Sequence, residues 1–397
     1  MAKADTLGFS SGRLERITAA FEAAVAAERL AGAIVVIERA GETVYRRAIG
    51  YRDTGRSAAM SDDAIFRLYS MTKPVVSVAA MSLVEEGRIL LDDPVSAFIP
   101  GFKSAEVGRP VRGADGKTTL ALEPLRREIT VQDLLRHTSG LIYAALIETS
   151  AVGQRYIEAG INDADRSLAQ WTETLAGLPL AHQPGEAFDY SHSTDVLGRV
   201  IEIACGRALD EAVAERVTGP LGMADTGFSV PEPDWGRIAE AVPDKATGRL
   251  PPLREARHRP VLLSGGGGMV GTAEDYLRFT RMLLGGGALG ATRILAPKSV
   301  ALMAADHLGA IPRDTASGRL LLGPGYGFGF GFATRLAVGE AATLGSVGEF
   351  YWGGWAGTHF WIDPQERLAA LMMIQQPNER AYFSRLYRNL VYQAMVG

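Results

Sequence analysis

Along the first part of the chain, Leu14, Ile17, Phe21, Ala24 and Val25 recur at helical spacing, which predicts an amphipathic helix from Ser11 to about Leu30. "GAIVVIERAGETVYRRAIG" then changes to β-branched runs on either side of Ala40-Gly41, the pattern of an antiparallel hairpin. From Ser70 to about Asp93 the apolar positions run around a whole helix, "VVSVAAMSLVEEG", with Gly87 suited to its C-terminal cap, and such a helix belongs at the centre of the molecule. Residues 100–230 read as helices joined by loops rich in proline and glycine, among them "IPGFKSAEVGRPVRGADGK" and "LPLAHQPGEAFDY". In "LLSGGGGMVGTAEDYLRF" the glycines are expected to serve backbone conformation rather than packing. "GYGFGFATR", "GEFYWGG", "THFWID" and "LAALMMI" each read as a strand, and a closing helix starts near Asn378.

Strands at both ends with helices between them predict an α/β plus all-α architecture. Residues 1–69 and 235–397 would build one antiparallel sheet flanked by helices, and 70–234 would be an inserted, mainly helical domain. The active cleft is expected between the two.

Composition narrows the function classes. The chain has 397 residues, 47% of them hydrophobic, enough for a sizeable core. Lys plus Arg number 41 against 45 acids, for a net charge of -4, so nothing marks a surface for nucleic acid or an anionic membrane. No apolar leader or membrane-length run is visible, which points to a cytoplasmic protein. The single cysteine, Cys205, excludes an internal disulfide, and the 6 histidines show no metal-ligand spacing. "SGGGGM" lacks the lysine and hydroxyl residue of a phosphate-binding loop. No cofactor is expected, and the partner implied is a small molecule.

Two serine motifs compete. "GFSSG" at 8–12 fits the nucleophile-elbow formula, but it lies too near the chain start for a preceding core strand, and Ser10 or Ser11 is better placed to cap the first helix. "SMTK" at 70–73 sets Ser70 and Lys73 on one helix face, so the amine reaches the hydroxyl without any other element moving. The lysine must then lose its proton near neutral pH, and apolar surroundings and a helix N-terminus both favour its uncharged form. Pro74 is compatible with this only if the helix begins close to Ser70. The plain alternative is a capping serine and a surface lysine.

Further stretches accompany "FRLYSMTKP" in order: "ITVQDLLRHTSGL", "FDYSHSTDVLG", "PLGMADTGF", "SGGGGMVGTAEDYLRF" and "FYWGGWAGTHFWID". Together these resemble the serine β-lactamase and penicillin-binding superfamily, and within it the class C-like branch, the family VIII carboxylesterases. The resemblance runs from about Ala31 to the strands after Trp361. It implies that Ser70 is the acylated nucleophile, Lys73 its base partner and Tyr190 a second proton-transfer group. It also implies an oxyanion hole from the backbone N–H groups of Ser70 and Trp355. On the residues alone, Tyr190 reads as a core tyrosine with a satisfied hydroxyl, and His137 as structural.

Two departures bear on the substrate. Trp352-Gly353-Gly354 stands where the penicillin binders carry Lys-Thr-Gly, which replaces a cation for a substrate carboxylate by a broad apolar surface and favours a neutral ester. His192 stands where class C enzymes have asparagine; it either lines the site or sits solvated at a helix start. Tyr143 and Trp355 are candidates for shaping an apolar acyl pocket, while Tyr326 and Phe328 read as core. The expected activity is hydrolysis of short-chain carboxylic esters through an acyl-enzyme. A β-lactamase, a D-amino-acid amidase or peptidase, an acyltransferase and a catalytically silent scaffold are the alternatives.

Overall fold

A computed structural model describes residues 3–113, 118–146 and 150–397, apart from the side chains of residues 3 and 145. Its centre is a seven-stranded antiparallel sheet ordered Glu42–Gly50, Gly32–Arg39, Leu368–Met373, His359–Asp363, Phe350–Gly353, Ala333–Arg335, Tyr326–Phe328. The two ends of the chain meet in the register Ile34 with Met373 and Val36 with Leu371. Because side chains alternate across a strand, Ile34 and Val36 face a core shared with the central helix, while Val35 and Ile37 face Phe21, Phe383 and Tyr387 of the terminal helices.

The first hairpin turns at Ala40 and Gly41, whose φ angles of 54° and 80° are the left-handed pair that matches strand twist. The first helix, Ser11–Ala26, buries the five predicted residues. Its cap differs from expectation: the Ser10 hydroxyl makes no capping bond, and the Asp5 carboxylate takes the Ser11 N–H and hydroxyl instead, both at 3.2 Å. A carboxylate is the stronger acceptor for such an orphan donor.

Three other readings change. "GYGFGFATR" is two short strands, Tyr326–Phe328 and Ala333–Arg335, paired as a hairpin rather than one run. At its turn Gly331 has φ of 96°, and an added Cβ would stand 2.6 Å from the Ser77 hydroxyl of the central helix. Within the stretch read as loops, Glu106–Arg112 pairs with Thr118–Pro124 as a protruding hairpin. Both of its faces are largely exposed, so no apolar alternation announces it; residues 114–117, between the two strands, lie outside the described residues. The buried helix is shorter than predicted, Thr72–Glu85, preceded by a tight turn at Tyr69–Met71. Gly87 ends it with φ of 67°.

Among the described residues, no helix is long and apolar enough to cross a membrane. Below the sheet, Glu349 is fully buried and accepts hydrogen bonds from Arg335 at 3.2 Å, from Tyr326 and Tyr392 at 3.0 Å, and from Arg388. Replacing Glu349 by alanine strands two buried guanidinium groups, and we expect a loss of about 3–5 kcal/mol, read as a lower urea midpoint at unchanged slope.

Candidate active site

Tyr69 sets the serine in place. Its φ of 46° is left-handed backbone that a bulky residue rarely adopts, so its surroundings must hold it there. They do so through the phenol, which accepts the Arg254 N–H at 2.8 Å, and the ring, which packs 5.5 Å from that of Trp355. Ser70 follows on the tight turn that feeds the central helix, and Pro74 falls in that helix's first turn, where its missing N–H costs little.

Lys73 is fully buried. Its Nζ donates to the Gly266 carbonyl at 2.6 Å and to the Tyr143 phenol oxygen at 3.1 Å, and lies 3.5 Å from Ser70 Oγ. Burial pulls its pKa down to about 7, opposed only in part by the negative charge of Asp195. Near neutrality much of the amine is therefore uncharged. Tyr190 stacks beneath it, with Nζ 4.5 Å from the ring centre. The Tyr190 phenol accepts the Trp352 indole N–H at 3.1 Å. Burial raises the pKa of Tyr190 well above the ordinary phenol value, while hydrogen bonds with Ser70 and Trp352 work the other way.

The strand Phe350–Gly353 and the turn after it close the other side. An added Cβ at Gly354 would stand 2.3 Å from the Leu68 carbonyl, and at Gly353 3.1 Å from His359 Nδ1, so small residues let this turn touch the serine segment. Thr358 Oγ donates to that same Leu68 carbonyl at 3.1 Å. Among the described residues, neither the Ser70 nor the Trp355 backbone N–H donates to a protein acceptor. Both residues line one cavity of about 870 Å³, with apolar walls that include Leu146, Ile161, Trp171 and Leu262.

The structure thus brings Ser70, Lys73, Tyr190, Tyr143, His192 and the 352–355 stretch together. Trp352 lines the cavity but is only 4% exposed; it offers an N–H to Tyr190, not a broad apolar surface. His192 is buried, not solvated, with Nδ1 3.2 Å from Asp195 Oδ2 and its ring edge-on to Tyr143 and Trp171. Tyr143 does more than shape a pocket, since it bridges Lys73 and Asp195. His137 does not line the cavity; its Nδ1 accepts the Ser191 N–H at 3.3 Å, and burial keeps it uncharged. Ser10 lies on the far side of the sheet, beside the C-terminal helix.

Asp195 was missed in the sequence, although an acid on the buried face of "STDVLGRVIEIA" is a signal that something charged must answer it. The role given to the glycines also changes. None of Gly265–Gly268 has a positive φ; an added Cβ at Gly266 would stand 2.6 Å from Asp195 Oδ2 and 2.7 Å from the Tyr143 hydroxyl. Close approach, not backbone freedom, requires glycine there.

The family model described as Beta-lactamase matches residues 17–394. Esterase EstB of Burkholderia gladioli is 36% identical over 377 residues, covering 90% of this chain and 89% of that protein. Among solved structures, EstCE1, described as a hydrolase with promiscuous acyltransferase activity, superposes with a TM-score of 0.79 at 31% identity, covering 97% of this chain and 99% of its own. Simvastatin synthase from Aspergillus terreus shares the fold, with a TM-score of 0.80 at 24% identity over 98% of this chain and 100% of that one. A mixed α/β molecule in which a serine and a tyrosine line one cavity, with a buried lysine amine 3.5 Å behind the serine, has the make-up of a serine acyl-transfer class of protein. The chain belongs to the beta-lactamase family.

Proposed function

We propose that the protein is a serine hydrolase that cleaves short-chain carboxylic esters through an acyl-enzyme on Ser70. The observation that carries this reading is the fully buried Lys73 amine, 3.5 Å from Ser70 Oγ, where burial pulls its pKa down to about 7. In this reading Lys73 takes the Ser70 proton as Oγ bonds to the ester carbonyl carbon. The oxyanion is held by the backbone N–H groups of Ser70 and Trp355, each such donor contributing about 10²–10³ in rate. The carbon–oxygen bond then breaks, and Tyr190 delivers a proton to the departing alkoxide, recovering it from Lys73. Water repeats the sequence on the acyl-enzyme and releases the acid. Residues 70–234 supply one wall of the cleft, and the 1–69 and 235–397 parts the other.

The likeness to Esterase EstB supports ester cleavage, and the lack of a cation at position 352 supports an ester over a β-lactam. A panel of p-nitrophenyl esters of rising chain length, run beside a chromogenic cephalosporin, tests the choice. We expect the fastest turnover on the shortest acyl groups and little on the cephalosporin; the reverse order would refute it. Because EstCE1 is described as having acyltransferase activity, an added simple alcohol is expected to divert part of the acyl group to a new ester.

A further inference from the structure

A neutral amine has two N–H donors and one lone pair. In Lys73 the two donors already have acceptors, the Gly266 carbonyl at 2.6 Å and the Tyr143 oxygen at 3.1 Å, so the remaining lone pair is the one that meets the Ser70 hydroxyl at 3.5 Å. What holds those two acceptors decides where the lone pair points. Both lead to the same side chain. Asp195 Oδ1 accepts the Gly266 N–H at 2.9 Å and the Ser264 hydroxyl at 2.5 Å, which pins the glycine turn. Asp195 Oδ2 accepts the Tyr143 hydroxyl at 3.5 Å and faces His192 Nδ1 at 3.2 Å.

We propose that Asp195 is a positioning residue for Lys73: one buried carboxylate fixes both groups that orient the amine on Ser70, and its charge sets the pH above which the amine becomes a base. The inference rests on the ester-hydrolase reading of Ser70 and goes beyond it. The carboxylate lines the cavity, but its hydrogen bonds run to Gly266 and Tyr143, and it acts on Lys73 through them.

The electrostatics agree with the geometry. Hydrogen bonding with His192 and Ser264, together with the Lys73 amine, holds Asp195 at a pKa of about 2 despite burial, so it stays charged across the working range. Among the other groups around the lysine and Asp195, Arg254 carries a positive charge. Tyr143 and Tyr190 are kept neutral by burial, and so is His137. His192 faces Asp195 on the other side, and Arg254, half-buried, feels Asp195 as its favourable partner. A negative charge beside a lysine favours the protonated form. Removing it must therefore move the onset of base activity to lower pH while loosening the amine.

The test compares pH profiles of kcat/KM on p-nitrophenyl butyrate for wild type, Asp195→Asn, Ser264→Ala and Tyr143→Phe. In Asp195→Asn the acid limb is expected to fall by about 1 pH unit, with kcat down roughly tenfold and KM little changed. Ser264→Ala removes a neutral donor and keeps the charge, so its limb should stay with the wild type's while its rate drops. Tyr143→Phe, which should fold even if Asp195→Asn does not, is expected to lower kcat without moving KM. An Asp195→Asn limb that does not move, a Ser264→Ala limb that moves as far, or a Tyr143→Phe enzyme of unaltered kcat would each overturn the proposal. Wild-type enzyme incubated in parallel with a fluorophosphonate separates the two levels: an adduct on Ser70 with an unmoved limb rejects the role of Asp195 alone, whereas no adduct on Ser70 rejects the ester-hydrolase reading beneath it.

Discussion

Lys73→Met should lose about 10³-fold or more in kcat/KM on its best p-nitrophenyl ester, within the range that one positioned base supplies, while becoming more stable than the wild type. The two effects have one cause. Burial holds the amine near a pKa of about 7 against an ordinary 10.5, so from neutral pH upward the folded state gives up a proton that the unfolded chain keeps until about 10.5. The sign follows from the linkage: the penalty is complete below the folded value, shrinks as pH rises between 7 and 10.5, and is absent above both. An apolar thioether in the same space escapes it. We therefore expect a gain on the order of 3 kcal/mol at neutral pH, measured by urea unfolding and fading toward high pH. A Lys73→Met protein that is inactive and also less stable would mean the amine is anchored as a cation, contrary to the account.

Ser70→Ala is expected to have the larger kinetic effect, about 10⁵-fold or more, because removing the nucleophile deletes the covalent route and leaves binding and the oxyanion donors only. The fold should not notice. Ser70 Oγ makes one long contact with Lys73 and one with Tyr190, and the tight turn it sits on is held by Tyr69 and Arg254 instead. Unchanged thermal unfolding with no ester turnover is the expected pair of results. Turnover surviving in Ser70→Ala would direct attention to another hydroxyl.

Much of this was legible in the sequence where local chemistry and tertiary packing agree. The Ser11–Ala26 helix, the Ala40-Gly41 hairpin and the closing helix each bury one face against the sheet, so their periodicity is their structure. Ser70 and Lys73 were readable because only the turn into the central helix separates them, and Tyr190 and the 352–355 stretch because the order of motifs resembled a known family. What was not legible depends on contacts between distant segments. The lysine's partners come from 143 and 266, and nothing local to either says that they meet. Trp352 was read by its size, when its N–H was the part that mattered. The glycine run was read by its conformational freedom, yet its backbone is ordinary, and what it provides is room for Asp195 and Tyr143. The hairpin at 106–124 was missed for the opposite reason: it packs on too little to print a pattern.

The central claim is that one buried, uncharged amine makes Ser70 reactive. The most direct measurement is the rate at which a fluorophosphonate labels the wild-type enzyme as a function of pH, with the modified peptide identified by mass spectrometry. The account predicts one adduct, on Ser70, whose rate rises through a pH of about 7 and then levels off. Labelling on a different residue, or a rate on Ser70 that climbs without a break to the ordinary lysine value of 10.5, would contradict it.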